Sequence, residues 1–247
     1  NANAITVDGG LDLVGILRAP VSGDAALTVL GDMQASGYTG WNFANETWTY
    51  ASATTFTVPT DLTAKYQKGT KLKLTQTTAK YFYVTASSYG APNTTVTVMG
   101  GSDYSLANAA ITLPSFSYIE YPQAFPVWFT WAPTYSGNGS LTYTSVSTNI
   151  ARFSISGTRA TVVVKSNGTT GGTTNTTLYA TAPVEAAQSA NSPAGTAYVS
   201  DAGGNSVVGF SFISAGTPDL LSFRKYDSSN WTLGAGSVCS GIFTYEI

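Results

Sequence analysis

The side chains able to do chemistry are few, and their types exclude most reactions before spacing is considered. The chain has no histidine and one cysteine, Cys239, against thirteen acids and eleven bases. A nucleophilic triad with an imidazole base, a His-ligated metal and a Cys-based zinc site are therefore excluded by composition. A glycosidase needs two carboxylates flanking one bond. Asp61, Asp103, Glu120, Asp201, Asp219 and Asp227 mostly stand beside turn formers, where solvation or turn capping is the expected use. Gly168-Thr169-Thr170-Gly171-Gly172 lacks the lysine and the following helix of a phosphate loop. No catalytic residue, metal or cofactor is expected, and only an active site shared between subunits would keep a polysaccharide depolymerase open.

Binding is better supplied. A neutral sugar is recognised by a flat aromatic face against its C–H patch, with amides and hydroxyls at the rim. Asn230-Trp231-Thr232 offers one such group, Tyr89 with Asn93 a second, and Trp128 with Trp131 the broadest ring faces. Each has a structural alternative: Trp231 as core, and Trp128 and Trp131 as part of a strap glued along a junction. Formal charge is −2, so no basic field gathers phosphates, and nucleic acid is not an expected partner. No apolar run approaches the ~18 residues of a membrane span, so membrane insertion is not expected either.

The elements that must position these residues are strands. Aromatics make up 13% and charged residues 10% of the chain, the latter far below the usual quarter. From Trp41 to Ile111, apolar and hydroxyl residues alternate nearly one for one, the period of strands with one buried and one wet face. Tyr81–Thr85 and Thr94–Val98 flank turn formers from Ser87 to Asn93 and predict a hairpin with a long tip. The absence of a cysteine pair fits folding in a reducing cytoplasm, and Cys239 is expected as a small buried residue.

Four segments follow. Residues 1–40 read as an arm or anchor without a core of its own, with a brief helix from Ala25 to Gln34 capped by Asp24. Residues 41–114 read as a small antiparallel β-barrel or sandwich module. Residues 115–136 hold Pro122, Pro126 and Pro133 and, from Phe116 to Trp131, seven aromatic side chains, an extended linker whose rings must find cover. Tyr135–Ser140 reads as a flexible break, and residues 137–247 carry about eight strands at the spacing of a sandwich, with Ala151–Ile155 and Ala160–Lys165 flanking a short hairpin turn, Ser166–Gly172 as a loop and the last strand internal. A jelly-roll β-sandwich is the expected fold of this part, and the whole chain is expected to be all-β.

Specific wording within the second segment resembles a module of tailed-bacteriophage structural proteins. The marks are Trp48–Ala53, Asp61–Tyr66, Leu74–Thr78 with Lys80–Phe82, Gly100–Ile111, and the exit Pro122–Pro126. The last segment is similar, on shorter motifs, to C1q-like trimeric heads of phage fibres, through Thr176–Leu178 before Pro183, the turn at Gly203 and the Tyr245-Glu246-Ile247 finish. The resemblance implies a non-enzymatic homotrimer on the virion surface, made in the host cytoplasm. It would be a fibre or appendage whose arm meets other virion proteins and whose head binds host glycan. A purely structural head-fibre or decoration protein is the alternative.

Overall fold

A computed structural model describes residues 39–187, 192–202, 204, 206–214 and 216–247. The predicted helix and nearly all of the predicted arm lie outside these residues. Among the described residues there is no helix, and the chain is all-β, as its composition predicts.

The first sheet has seven strands: β1 (Asn42–Phe43), β2 (Thr49–Ser52), β3 (Thr55–Pro59), β4 (Lys71–Gln76), β5 (Thr78–Gly90), β6 (Asn93–Met99) and β7 (Thr112–Ser117). They pair antiparallel in the order β1-β7-β4-β5-β6-β3-β2. Alternation does what it should. Phe56, Val58, Leu72, Leu74, Phe82, Val84, Val96 and Val98 point inward around Trp48 and Tyr66, while the intervening threonines line the wetter face. The expected hairpin is present, but its tip is not a long loop. The β5 and β6 ladders run out to the pair Gly90 and Asn93, leaving Ala91-Pro92 as the turn. Pro114 is no barrier to β7, because it falls where the register against β4 shifts between Lys73 and Thr75 and a ladder bond is skipped.

The second sheet has nine strands: β8 (Phe129–Thr130), β9 (Tyr135–Gly137), β10 (Leu141–Ser156), β11 (Arg159–Gly172), β12 (Thr177–Thr181), β13 (Ser192–Ser200), β14 (Ser206–Ser214), β15 (Thr217–Lys225) and β16 (Gly234–Glu246). Their order is β8-β10-β11-β16-β13-β14-β15-β12-β9. Three meander strands with β16 returned beside β13 make a Greek key, and β16 is internal, as expected. The sheet folds over until its ends meet. Trp131, just past β8, donates its indole N–H to the Thr181 carbonyl of β12 at 3.1 Å. Tyr135 of β9 lies edge-on to Tyr143 of β10 at 5.8 Å. Neither sheet closes into a barrel, and the arrangement is a β-sandwich.

Two predicted irregular stretches are strand. Tyr135–Gly137, read as a flexible break, is the edge strand β9 paired to β12. Ser166–Gly172, read as a loop, is the second half of β11, laddered on both sides. Its glycines serve packing. A Cβ on Gly168 would stand 2.7 Å from the Tyr143 ring, which fills that space.

The proline-rich stretch carries the join between the sheets. Phe125 and Phe129 meet Tyr83 of β5 at ring distances of 5.0 and 5.2 Å, and Phe129 stacks on Phe153 of β10 at 5.7 Å. Polar contacts fix the angle. Asp103 accepts hydrogen bonds from the Thr130 amide at 2.7 Å and hydroxyl at 2.5 Å. Gly101, at φ +62°, lets the chain pass so close to the Thr130 carbonyl that a Cβ would sit 1.9 Å from its oxygen. Phe129→Ala is expected to cost about 3–5 kcal/mol in denaturant unfolding and to flatten the near-ultraviolet dichroism of the aromatic cluster; a loss below ~1 kcal/mol would show that the join does not depend on this ring.

Candidate functional site

The best sequence candidate, Asn230-Trp231-Thr232, is a pinned loop built on a buried ion pair. Lys225 Nζ lies 2.7 Å from Asp201 Oδ2, with side chains 9% and 10% exposed. The same carboxylate accepts the Thr232 amide at 2.8 Å and the Thr232 hydroxyl at 2.9 Å, while Lys225 also donates to the Asn230 carbonyl. Burial pushes the Asp201 carboxyl up, but the Lys225 ammonium and the Thr232 donors outweigh it and hold its pKa below the ordinary carboxylate range. Drawn in this way, Trp231 is fully buried and donates its indole N–H to the Thr176 carbonyl at 3.2 Å. Its ring therefore offers no stacking face to a ligand, and the core alternative is the one realised. Asn230 stays exposed, its amide 3.4 Å from the Thr174 hydroxyl. Asp201 is correspondingly no solvated turn residue.

Tyr89 and Asn93 are both exposed at the first-sheet hairpin, but the register separates them. Tyr89 faces Thr94 across the ladder, and Asn93 faces Gly90. Neighbouring positions on a strand leave opposite faces, so the phenol and the amide do not converge. Trp131 is 8% exposed with its N–H used and its ring edge-on to Phe153 at 6.4 Å. Trp128 is half-buried, with the Arg152 guanidinium 4.8 Å over its ring. The strap alternative describes both tryptophans better than a sugar platform does. Cys239 is buried, as expected, and burial pushes its thiol pKa well up.

Residues of the Trp48–Ala53, Asp61–Tyr66 and Leu74–Thr78 stretches interlock inside the first sheet. Trp48 stacks on Phe56 at 4.4 Å and donates its indole N–H to the Tyr66 hydroxyl at 3.0 Å. The Tyr66 hydroxyl donates to Glu46, whose other oxygen lies 2.9 Å from Lys65 Nζ. Burial and the Glu46 carboxylate together push the Tyr66 phenol pKa far up. Gln76 closes the far end. Its amide donates to the Ala107 and Ala109 carbonyls at 2.9 and 3.0 Å and accepts from the Ala107 amide at 3.0 Å.

Two concavities were not legible beforehand. One is a groove of about 430 Å³ at the open mouth of the first sheet, between Thr47–Tyr50 and Asn108–Ile111. It is within the size range of small-ligand sites, carries no charged lining residue, and is lined by Trp48, the half-buried Tyr50, Thr47, Thr49 and Asn108 among others. The available signal was the two-residue spacing of Trp48 and Tyr50, which puts both on one face. The other is a pocket of about 60 Å³ at the join, lined by Lys71, Tyr83, Glu120, Phe125 and Ser156 among others. That volume suits a water or two rather than a sugar. Lys71 is buried there, its Nζ 4.0 Å from Glu120 Oε2, and burial holds its pKa below the ordinary lysine value. Tyr83 beside it is pushed up to about 12 by burial. Among the described residues no cluster of three or more His, Cys, Asp or Glu side chains converges to hold a metal ion.

No protein-family model, no curated protein and no solved structure matches this chain.

The buried Lys71 ammonium has a pH signature. A lysine whose folded pKa is depressed binds fewer protons folded than unfolded, so its cost is full below the folded pKa and fades as pH climbs toward the ordinary 10.5. Lys71→Met is expected to equal or exceed the parent in stability at neutral pH, with the difference narrowing as pH rises toward 10.5 in parallel denaturant titrations. A variant weaker than the parent by more than ~2 kcal/mol throughout would instead mark Lys71 as a net stabilising partner of Glu120.

Proposed function

We propose that this chain is a non-enzymatic structural subunit of a tailed-phage particle, a fibre or appendage protein carried on the virion surface as a homotrimer. One observation carries the reading: the residues that resemble the phage module are spent on shape. Trp48, Tyr66, Lys65 and Gln76 form the stacking and hydrogen-bonding frame of one sheet. A module that recurs for its architecture needs such a frame, and the aromatic strap from Phe125 to Trp131 extends it into the second sheet. In this reading residues 1–40 anchor the subunit to other virion proteins. Removing them is expected to abolish incorporation into particles while the soluble protein keeps its dichroism and melting temperature; particles that still take up the shortened chain would sink the anchor and weaken the particle reading with it.

Recognition of a host-surface glycan is the second reading, and the groove at Tyr50 is what favours it. A lining of Trp48, Tyr50, Thr47, Thr49 and Asn108 with no charged side chain suits a neutral sugar. A single site of that depth would bind at about millimolar strength, and display on a trimer would raise avidity by roughly 10²–10⁴. On a glycan array the intact protein is expected to lose its signal on Tyr50→Ala and keep it on Asn230→Ala; no signal from the parent at tens of micromolar trimer would remove this reading.

A further inference from the structure

The outer face of the second sheet carries a contiguous apolar surface. Side chains on β16, β13, β14 and the end of β15 line up in two cross-strand rows. In the first, Val163 of β11 opposes Ile242, and Phe210 opposes both Thr196 and Arg224. In the second, Lys165 opposes Ser240, Ser240 opposes Tyr198, and Tyr198 opposes Val208, with Tyr226 next beyond. Paired residues share a face, so these rows form one surface. Tyr198 is 51%, Val208 66%, Phe210 52%, Tyr226 59% and Ile242 56% exposed. The opposite face of the same strands is the core, with Ala197, Val199, Ile213, Phe223 and Phe243 buried. These strands are thus apolar on both sides, the pattern of a sheet that is covered twice.

Three half-exposed aromatic rings and two half-exposed aliphatic side chains amount to roughly 500 Å² of apolar area. That is at the upper end of what a lone monomer shows. With its hydroxyl rim it approaches the ~800 Å² per partner of a standard stable interface. The charges are marginal. Lys165 and Arg224 stand at opposite edges of the patch, and Arg224 is held by the Thr177 hydroxyl at 3.1 and 3.2 Å and lies 5.0 Å over Phe212. The centre contains apolar groups and the hydroxyls of Thr196, Tyr198 and Ser240, with no formal charge to desolvate. Such a surface complements a copy of itself, whereas a charged partner would find nothing at the centre to pair with.

We propose that this face is the contact between copies of the chain, the Tyr198, Val208, Phe210 and Ile242 surfaces of three copies packing together around one axis. The inference rests on the structural-subunit reading and gives that subunit its partner. Light scattering of the intact chain at tens of micromolar is expected to return a multiple of the 25.7 kDa chain mass, three for the symmetry proposed above. Val208→Glu and, separately, Phe210→Lys are expected to shift it to monomer while leaving the far-ultraviolet dichroism unchanged. Hydrogen exchange of β13, β14 and β16 is expected to quicken in the dissociated variants and in the parent on dilution. A monomeric parent overturns the proposal, as does an oligomer that survives both folded variants. If both variants misfold, protection of β14 that does not change on dilution of the parent through dissociation overturns it instead. The two readings fail separately: an oligomer that never enters particles removes the particle and leaves the contact, and a monomer that enters them does the reverse.

Discussion

Tyr83 and Phe129 meet ring against ring at 5.2 Å, and on that contact depends whether the two sheets behave as one body. Tyr83 belongs to the middle of the first sheet, while Phe129 opens the second and is fully buried against Phe153. Aromatic pairs of this kind are worth about 0.5–1.5 kcal/mol each beyond the area they bury. Four converge on Phe129, from Tyr83, Tyr104, Phe125 and Phe153. The proline-rich composition of the connection is the other half of the same device. Proline keeps Tyr121 to Trp131 from folding into a helix, so the rings stay strung out along the join instead of collapsing on one another.

Charge is used sparingly, and two ion pairs are drawn inward. The Asp201–Lys225 pair and the Glu46–Lys65 pair are both drawn into hydrogen-bonded networks that hold a tryptophan or tyrosine. Buried pairs contribute little net stability, since desolvation offsets most of their attraction, but losing one partner is expensive. Their effect here is on conformation. With Asp201 holding Thr232, the 230–232 segment has one placement, and Trp231 goes into the core beneath it. Lys71 lacks a comparable partner, because Glu120 is half in solvent and 4.0 Å away, and its depressed pKa is the electrostatic record of that imbalance.

Alternation made the strands legible, and little else was. The β5–β6 and β10–β11 hairpins follow from the period of two read along Tyr81–Val98 and Ala151–Lys165. Composition misled where glycine and threonine serve packing: Ser166–Gly172 reads as a loop, yet Gly168 is small because Tyr143 lies across it. The site residues were less readable still. Whether Trp231 faces solvent is decided by Asp201, thirty residues earlier, and Asp201 looks like any other turn carboxylate. Tyr89 and Asn93 are four residues apart in sequence, but a tight turn in place of a long tip puts them on opposite faces. The groove at Tyr50 depends on Asn108–Ile111 lying opposite β2, a pairing of distant segments with no local signature.

The geometry of the sheet margins bears on how such a chain meets others. The outermost strands are short: β1 and β8 have two residues each, β9 three and β2 four. Short edges present few free backbone groups, which suppresses growth by strand addition. The long strands β11 and β16, of fourteen and thirteen residues, are internal, whereas β10, sixteen residues long, meets the edge strand β8 only at Arg152 and Phe153. Association through backbone pairing is blunted where these short strands end the sheets, while Tyr198, Val208, Phe210 and Ile242 stand exposed on a face. Faces select by shape, whereas edges accept almost any strand. For a chain with so little charge, gathering Tyr198, Val208, Phe210 and Ile242 on one sheet face would favour contact by shape over growth by strand addition.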